Sequence, residues 1–194
     1  MWVKVCGLTR ADAVAAALDA GADALGFVFS PSVRQLTPAQ AVTLAAPARG
    51  RATCVAVTLH PQQALVNEIL GVFAPDLLQT DIEDLAQLKL PATLPCLPVL
   101  RGSAARCAAW PARALFEGAR SGTGEVSDWA VAAALARQLQ IILAGGLSAT
   151  NVAEAIRAVQ PFGVDASSGL ESEPGIKSVE KINAFVSAAR AASR

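Results

Sequence analysis

The sequence predicts an α/β protein whose elements alternate strictly enough to close into a parallel (β/α)8 TIM barrel. Three observations carry this. Short β-branched or apolar runs are each followed by an Ala/Leu-rich stretch with helical spacing, and the alternation repeats eight times along 194 residues. Strands separated by helices cannot pair as hairpins; they need right-handed crossovers and therefore a parallel sheet. Eight such units are the count of a closed barrel, here short enough that its loops must be tight. An open doubly wound sheet is the competing arrangement of the same units. One domain spanning 1–194 is expected, because no linker, low-complexity tract or repeat beyond the βα alternation interrupts the chain.

The elements follow in order. Trp2–Val5 reads as a strand and Arg10–Ala20 as a helix, with Thr9 as cap, Asp12 three residues on in a capping-box-like arrangement, and Gly21 as terminator. Ala24–Phe29 is the second strand, and Thr37-Pro38 is a cap plus first-turn proline opening a helix to about Ala45. Ala52–Thr58 and Pro61–Leu70 form the third pair, Asp76–Gln79 and Ile82–Lys89 the fourth. Leu94–Leu100 leads to a short helix, Ser103–Ala109, cut off by Trp110-Pro111. Ala114–Glu117 pairs with Asp128–Gln138, Ile141–Ala144 with a helix from about Ser148 to Val159, and Gly163–Ala166 with Ser178–Arg190.

Composition narrows the function. The chain is 53% hydrophobic and 16% charged, and its 16 Lys+Arg balance 16 Asp+Glu, which argues against a nucleic-acid footprint or a polybasic membrane patch. No run approaches the roughly 18–20 continuous apolar residues of a membrane span. The apolar run after Met1 is short and broken by Lys4, unlike a signal peptide, so a cytoplasmic location is expected. Cys6, Cys54, Cys96 and Cys107 form no CxxC pair and, with a single histidine, His60, no zinc site; free thiols and no bound metal are expected.

The active site of such a barrel lies at the C-terminal ends of its strands. Cys6 ends the first strand, and the loop Ser30-Pro31-Ser32-Val33-Arg34 follows the second. Glu117 ends the sixth, Gly145-Gly146 follow the seventh, and Asp165 with Ser167-Ser168-Gly169 end the eighth. Glycines let backbone N–H groups approach an anion, and the loops after strands seven and eight are the usual phosphate site, so a phosphorylated small-molecule substrate is expected. The alternative is that these glycines only permit tight turns. Cys54, Cys96 and Cys107 read as small buried hydrophobes, whereas Cys6, at a strand tip beside a glycine, can serve as base or nucleophile. Glu117 can act as a general acid if desolvation keeps it protonated, or it can be a solvated rim residue. The glycine-rich stretch behind it, Gly118 to Gly124, could close over a ligand. Arg34 suits a carboxylate ligand or a surface salt bridge. His60 reads as a surface residue.

These pieces resemble the phosphoribosylanthranilate isomerase family, (β/α)8 enzymes of tryptophan biosynthesis. "KVCGLT" resembles that family's opening motif, "GADALGFVFSPSVRQLTP" its second strand and arginine loop, and "SGTGEVSDW" its strand-six loop. "LAGGLSATNVAEAI" and "PFGVDASSGLESEPGIKS" resemble its phosphate-binding strands seven and eight, and the likeness runs from end to end in the same order. The resemblance implies an Amadori rearrangement of N-(5-phosphoribosyl)anthranilate to the 1-deoxyribulose phosphate, the third step from chorismate, with no cofactor. It implies Cys6 as base, Glu117 as acid, and Arg34 on the anthranilate carboxylate. Gly145, Gly146, Ser167, Ser168 and Gly169 would hold the phosphate, and Asp165 would order the site near the anthranilate. The chain departs from the family pattern at three places. Glu117 stands where aspartate is common; Leu78-Gln79-Thr80-Asp81 stands for the usual Gln-Leu-His-Gly, with Thr80 taken as the histidine's replacement; and Thr58-Leu59-His60 replaces a phenylalanine-containing run. Two other readings remain: a lyase or synthase of the same pathway, for which Lys4 is the candidate lysine, and a phosphosugar-binding barrel that has lost turnover. Whether the protein is a monomer or homodimer is left open.

Overall fold

The computed structural model describes residues 1–102, 111–118 and 126–193. Eight parallel strands close into a barrel in chain order. They are β1 (Trp2–Cys6), β2 (Ala24–Val28), β3 (Thr53–Val57), β4 (Leu77–Asp81), β5 (Cys96–Arg101), β6 (Arg113–Glu117), β7 (Gln140–Leu143) and β8 (Gly163–Ala166). The barrel closes where β8 pairs with β1, in the register Lys4 opposite Asp165. The open doubly wound sheet is thereby excluded.

Among the described residues the helices are α1 (Ala11–Asp19), α2 (Pro38–Ala45), α3 (Gln63–Glu68), α4 (Ile82–Leu85), α5 (Trp129–Ala136), α6 (Val152–Val159) and α7 (Val179–Ala192). The expected helix Ser103–Ala109 and Cys107 lie outside the described residues, as does most of the glycine-rich stretch after Glu117. Thr37 caps α2 in a full capping box with Gln40, behind Pro38, as the sequence predicts. The expected start of α1 needs correction. Arg10 occupies the cap position with no side-chain cap bond, while Thr9 Oγ1 donates to the Gly175 carbonyl. Asp12 instead accepts from Arg10 and from the Ala13 amide. A short antiparallel hairpin, β9 (Glu171–Glu173) and β10 (Ile176–Lys177), follows β8 and was not foreseen, although Glu173-Pro174-Gly175 carries a turn signal.

Strand alternation divides the core in two. Leu100, Phe116, Ile141, Leu143 and Val164 pack outward beneath the helices, whereas Leu97, Val99, Leu115, Ile142 and Ala144 form a separate cluster that fills the barrel. The same period of two decides which residues at the strand tips face the cavity above that plug.

Candidate active site

On β1 the inward positions are Trp2, Lys4 and Cys6, and on β6 they are Leu115 and Glu117. A cavity of about 180 Å³ opens at the C-terminal mouth, lined by Cys6, Arg34, Glu117, Asp165 and Ser167. Five of the nine residues singled out in the sequence thus share one cavity, because each sits at or just beyond the end of a barrel strand. Gly145, Gly146, Ser168 and Gly169 are not among its lining residues; they form the adjoining turns.

Cys6 is 6% exposed and packs over Gly26 of β2, where a Cβ would stand 2.8 Å from its sulfur. Beneath it, Lys4 is fully buried and donates to Asp165 Oδ1 at 2.9 Å. Burial lowers the proton affinity of Lys4, but the Asp165 carboxylate and the Cys6 sulfur outweigh it and hold Lys4 above an ordinary lysine. Burial pushes the Cys6 thiol up; the Lys4 charge pulls it down without cancelling that effect. The sulfur is shielded from water, so burial prevails over the Lys4 charge.

Arg34 does double duty. Its Nε and Nη2 grip Glu171 at 2.6 and 2.8 Å, and Lys177 Nζ reaches the same carboxylate at 2.5 Å. The β9–β10 hairpin makes this possible, since it sets Lys177 directly opposite Glu171. Burial pushes Glu171 up, but the hydrogen bonds from Arg34 and Lys177 prevail and hold it at about 2. Burial draws Lys177 below an ordinary lysine despite Glu171. Gly7, at φ +72°, lets these groups converge, because a Cβ there would meet Arg34 Cδ at 2.5 Å and Ser167 Oγ at 2.9 Å.

Across the cavity, Arg101 at the end of β5 contacts Asp81 through Nε and Nη2 at 2.8–3.0 Å, and Nη1 lies 2.6 Å from Glu117 Oε1. Alternation puts Gln79 and Asp81 inward, while Thr80 points outward, its Oγ1 donating to Asp84 at 2.7 Å. The family's Gln-Leu-His-Gly pattern places the histidine two residues after the glutamine. Asp81, not Thr80, therefore stands on that inward position, which corrects the reading of Thr80. Gln79 lines the cavity, and its Oε1 has no hydrogen-bond partner among the described residues. His60 is exposed, as expected, and pairs with Asp84 at 2.9 Å.

The two glycine turns meet. Gly145 and Gly146 take φ +92° and +62°, and Asn151 Nδ2 anchors the Gly146 carbonyl at 2.9 Å. Gly169 approaches so closely that a Cβ would lie 2.1 Å from the Leu147 carbonyl oxygen. The loops after β7 and β8 are thus one continuous rim beside Ser167, which Lys177 contacts at 3.4 Å.

Sequence reasoning assigned no role to Asp81, Arg101, Glu171 or Lys177. Alternation from Glu117 across β5 and β4 would have found the first two; the last two depend on a hairpin whose pairing no periodicity reveals. Among the described residues no three His, Cys, Asp or Glu gather closely enough to hold a metal ion. A larger hollow at the opposite end of the barrel, beside Trp2 and Arg51, holds Asp23 and Asp76, which pair with Arg190 and Arg49. None of the residues singled out in the sequence lines it.

Comparison with known proteins gives the family. The family model described as N-(5'phosphoribosyl)anthranilate (PRA) isomerase matches residues 3–188. An N-(5'-phosphoribosyl)anthranilate isomerase of a Bradyrhizobium species is 43% identical, over 98% of this chain and 95% of its own. The crystal structure of TrpF from Jonesia denitrificans superposes with TM-score 0.84 at 37% identity, covering 100% of this chain and 98% of the other. That of the phosphoribosyl anthranilate isomerase from Thermus thermophilus gives TM-score 0.84 at 30% identity, covering 100% of both chains. The chain therefore belongs to the N-(5'-phosphoribosyl)anthranilate isomerase family.

Proposed function

We infer that the protein isomerises N-(5'-phosphoribosyl)anthranilate to 1-(2-carboxyphenylamino)-1-deoxyribulose 5-phosphate, an Amadori rearrangement in tryptophan synthesis. Within this reading Cys6 is the base and Glu117 the acid. The observation that carries the assignment is that sulfur and carboxyl line one cavity from strands β1 and β6, different sectors of the same rim. The acid and base must act on different atoms of one ribose, so they cannot be neighbours.

Glu117 gives its proton to the furanose ring oxygen as the ring C1–O bond breaks, and the anilino nitrogen supplies the electron pair of the resulting iminium. Cys6 then takes the proton from C2; that C–H pair becomes the C1=C2 bond of an enolamine and the C=N pair returns to nitrogen. Tautomerisation gives the ketone. Glu171 occupies the Nε–Nη2 edge of Arg34, which leaves Nη1 for the anthranilate carboxylate. The turns at Gly145, Gly146, Ser167, Ser168 and Gly169 receive the phosphate, Asp165 orders the anthranilate end, and Gln79 Oε1, without a partner among the described residues, is an acceptor for a sugar hydroxyl. The synthase alternative loses its support, because Lys4 is buried against Asp165 and does not line the cavity. We propose that the protein works in the cytoplasm as a monomer or homodimer.

The test is loss of substrate fluorescence with purified protein and phosphoribosylanthranilate. Turnover is expected in the wild type, and Cys6→Ser and Glu117→Gln should each lose about 100-fold or more in kcat with KM little changed. Substrate binding without turnover would establish the impaired-binder alternative instead. Full turnover in either variant would remove that residue from its role.

A further inference from the structure

A thiolate formed in a site closed to water must be balanced by positive charge, since burial alone favours the neutral thiol. The charged groups around Cys6 come from several elements. β1 supplies Lys4, β8 supplies Asp165, the hairpin supplies Glu171 and Lys177, and the loop after β2 supplies Arg34. Across the cavity stand Arg101 and Glu117, which face each other. Among the described residues nearest the sulfur, three cations stand against two carboxylates, so a neutral thiol leaves one positive charge over and a thiolate cancels it.

The three cations are not equivalent. Arg34 and Lys177 both spend their charge on Glu171. Lys4 sits two residues before Cys6 on the inward face of β1, and the two side chains cover the same glycine. A Cβ at residue 26 would meet Cys6 Sγ at 2.8 Å and Lys4 Cε at 3.2 Å. We propose that Lys4 is a positioning residue for the base: held on Asp165 beneath the sulfur, its ammonium supplies the charge against which the Cys6 thiolate forms. The inference rests on reading Cys6 as the base. It is consistent with the order of influences on Cys6, where Lys4 is the strongest opponent of burial and outweighs Asp165. It also fits the firmness of the Lys4 proton, which Asp165 secures. Lys4 therefore keeps its proton while the sulfur takes the one from C2.

The test reads Cys6 directly. Alkylation by iodoacetamide across a pH series, followed by mass spectrometry of the Cys6 peptide, gives the midpoint of thiolate formation; the fluorescence assay gives kcat and KM over the same range. In Lys4→Met the midpoint should rise by about one pH unit or more, and kcat near neutral pH should fall about tenfold or more with KM nearly constant. If that variant strands Asp165 and fails to fold, Lys4→Met/Asp165→Asn removes both charges. The midpoint should still rise, because the ammonium whose chain lies beside the sulfur over Gly26 is gone. An unmoved midpoint in whichever variant folds would overturn the proposal, even if activity were lost. The reading of Cys6 as base stands or falls separately, on the turnover of Cys6→Ser.

Discussion

Arg101 holds Asp81 and Glu117 apart and together: its Nη1 lies 2.6 Å from Glu117, and its other edge takes Asp81 at 2.8–3.0 Å. A guanidinium in that place stabilises an ionised carboxylate, whereas proton donation to a ring oxygen requires the acid. Asp81 resolves the conflict. It holds the other edge of Arg101, so the guanidinium keeps a hydrogen-bonding partner when Glu117 carries a proton. Asp81 and Glu117, from strands β4 and β6, are thus joined through the Arg101 side chain of β5 between them.

Arg101→Met tests this arrangement. Without the cation, Glu117 loses the guanidinium that favours its ionised form and keeps its proton to higher pH. The descending alkaline limb of the kcat profile should move upward by about one pH unit. A limb that stays in place would mean that Glu117 is not the titrating acid.

Glu171 ties Arg34 to Lys177, and its removal should be felt in binding more than in chemistry. In Glu171→Gln the fork of Arg34 loses its fixed edge, and KM should rise about tenfold or more while kcat changes less. Stability gives a second readout. A carboxyl held at about 2 against an ordinary 4.5 contributes stability that is complete above its unfolded value and lost as pH falls from about 4.5 to about 2. That amounts to about 3 kcal/mol as an order of magnitude. Denaturant titrations at several pH values should show wild-type stability falling through this window and the Glu171→Gln curve flatter there.

His60 supplies the control. Its imidazole is raised by hydrogen bonding and charge from Asp84, so its small contribution is present below about pH 6.5 and fades as pH rises through the folded value. The ring is 70% exposed, which limits the pair to about 1 kcal/mol or less. Asp84 also keeps the His60 amide and the Thr80 hydroxyl as donors, so losing the ring does not strand it. His60→Ala should leave kcat and KM within about twofold of wild type. A larger change in turnover would bring the Thr80–Asp84 cluster into the site.

The barrel was legible because its signal is periodic: eight apolar runs and the helices between them recur at short range, and Thr37-Pro38 marks a cap that the structure reproduces in full. The cavity residues were legible for the same reason, since each lies at the end of a run. Partnerships were not. Arg34 reads as suited to a carboxylate ligand or a salt bridge, but nothing in the sequence shows that Glu171 takes one edge of its fork, since that pairing depends on a two-residue strand, Ile176–Lys177. Thr80 matches the histidine's place only when the four residues are aligned without regard to which of them face inward, and its hydroxyl turns outward to Asp84. The cap at Thr9 failed because Thr9 is drawn to a carbonyl far along the chain, at Gly175, a competition local sequence does not display.

Gly26 is the last feature whose necessity can be measured. It is paired with Cys6 across β1 and β2, and its carbonyl accepts from the amides of both Gly7 and Leu8, at 2.9 and 3.1 Å. A methyl group at residue 26 would meet not only the sulfur at 2.8 Å but also the Cys6 Cα at 3.1 Å and Lys4 Cε at 3.2 Å. The backbone is stapled on both sides and cannot retreat, so the sulfur must turn away and the Lys4 chain must shift with it. A displacement of about an ångström at a reacting group costs on the order of 100-fold in rate. Gly26→Ala should therefore keep its helical circular dichroism and bind substrate with nearly unchanged KM, yet lose about two orders of magnitude in kcat. If turnover in that variant equals wild type, the sulfur is not held by this wall, and the position assigned to the base is wrong.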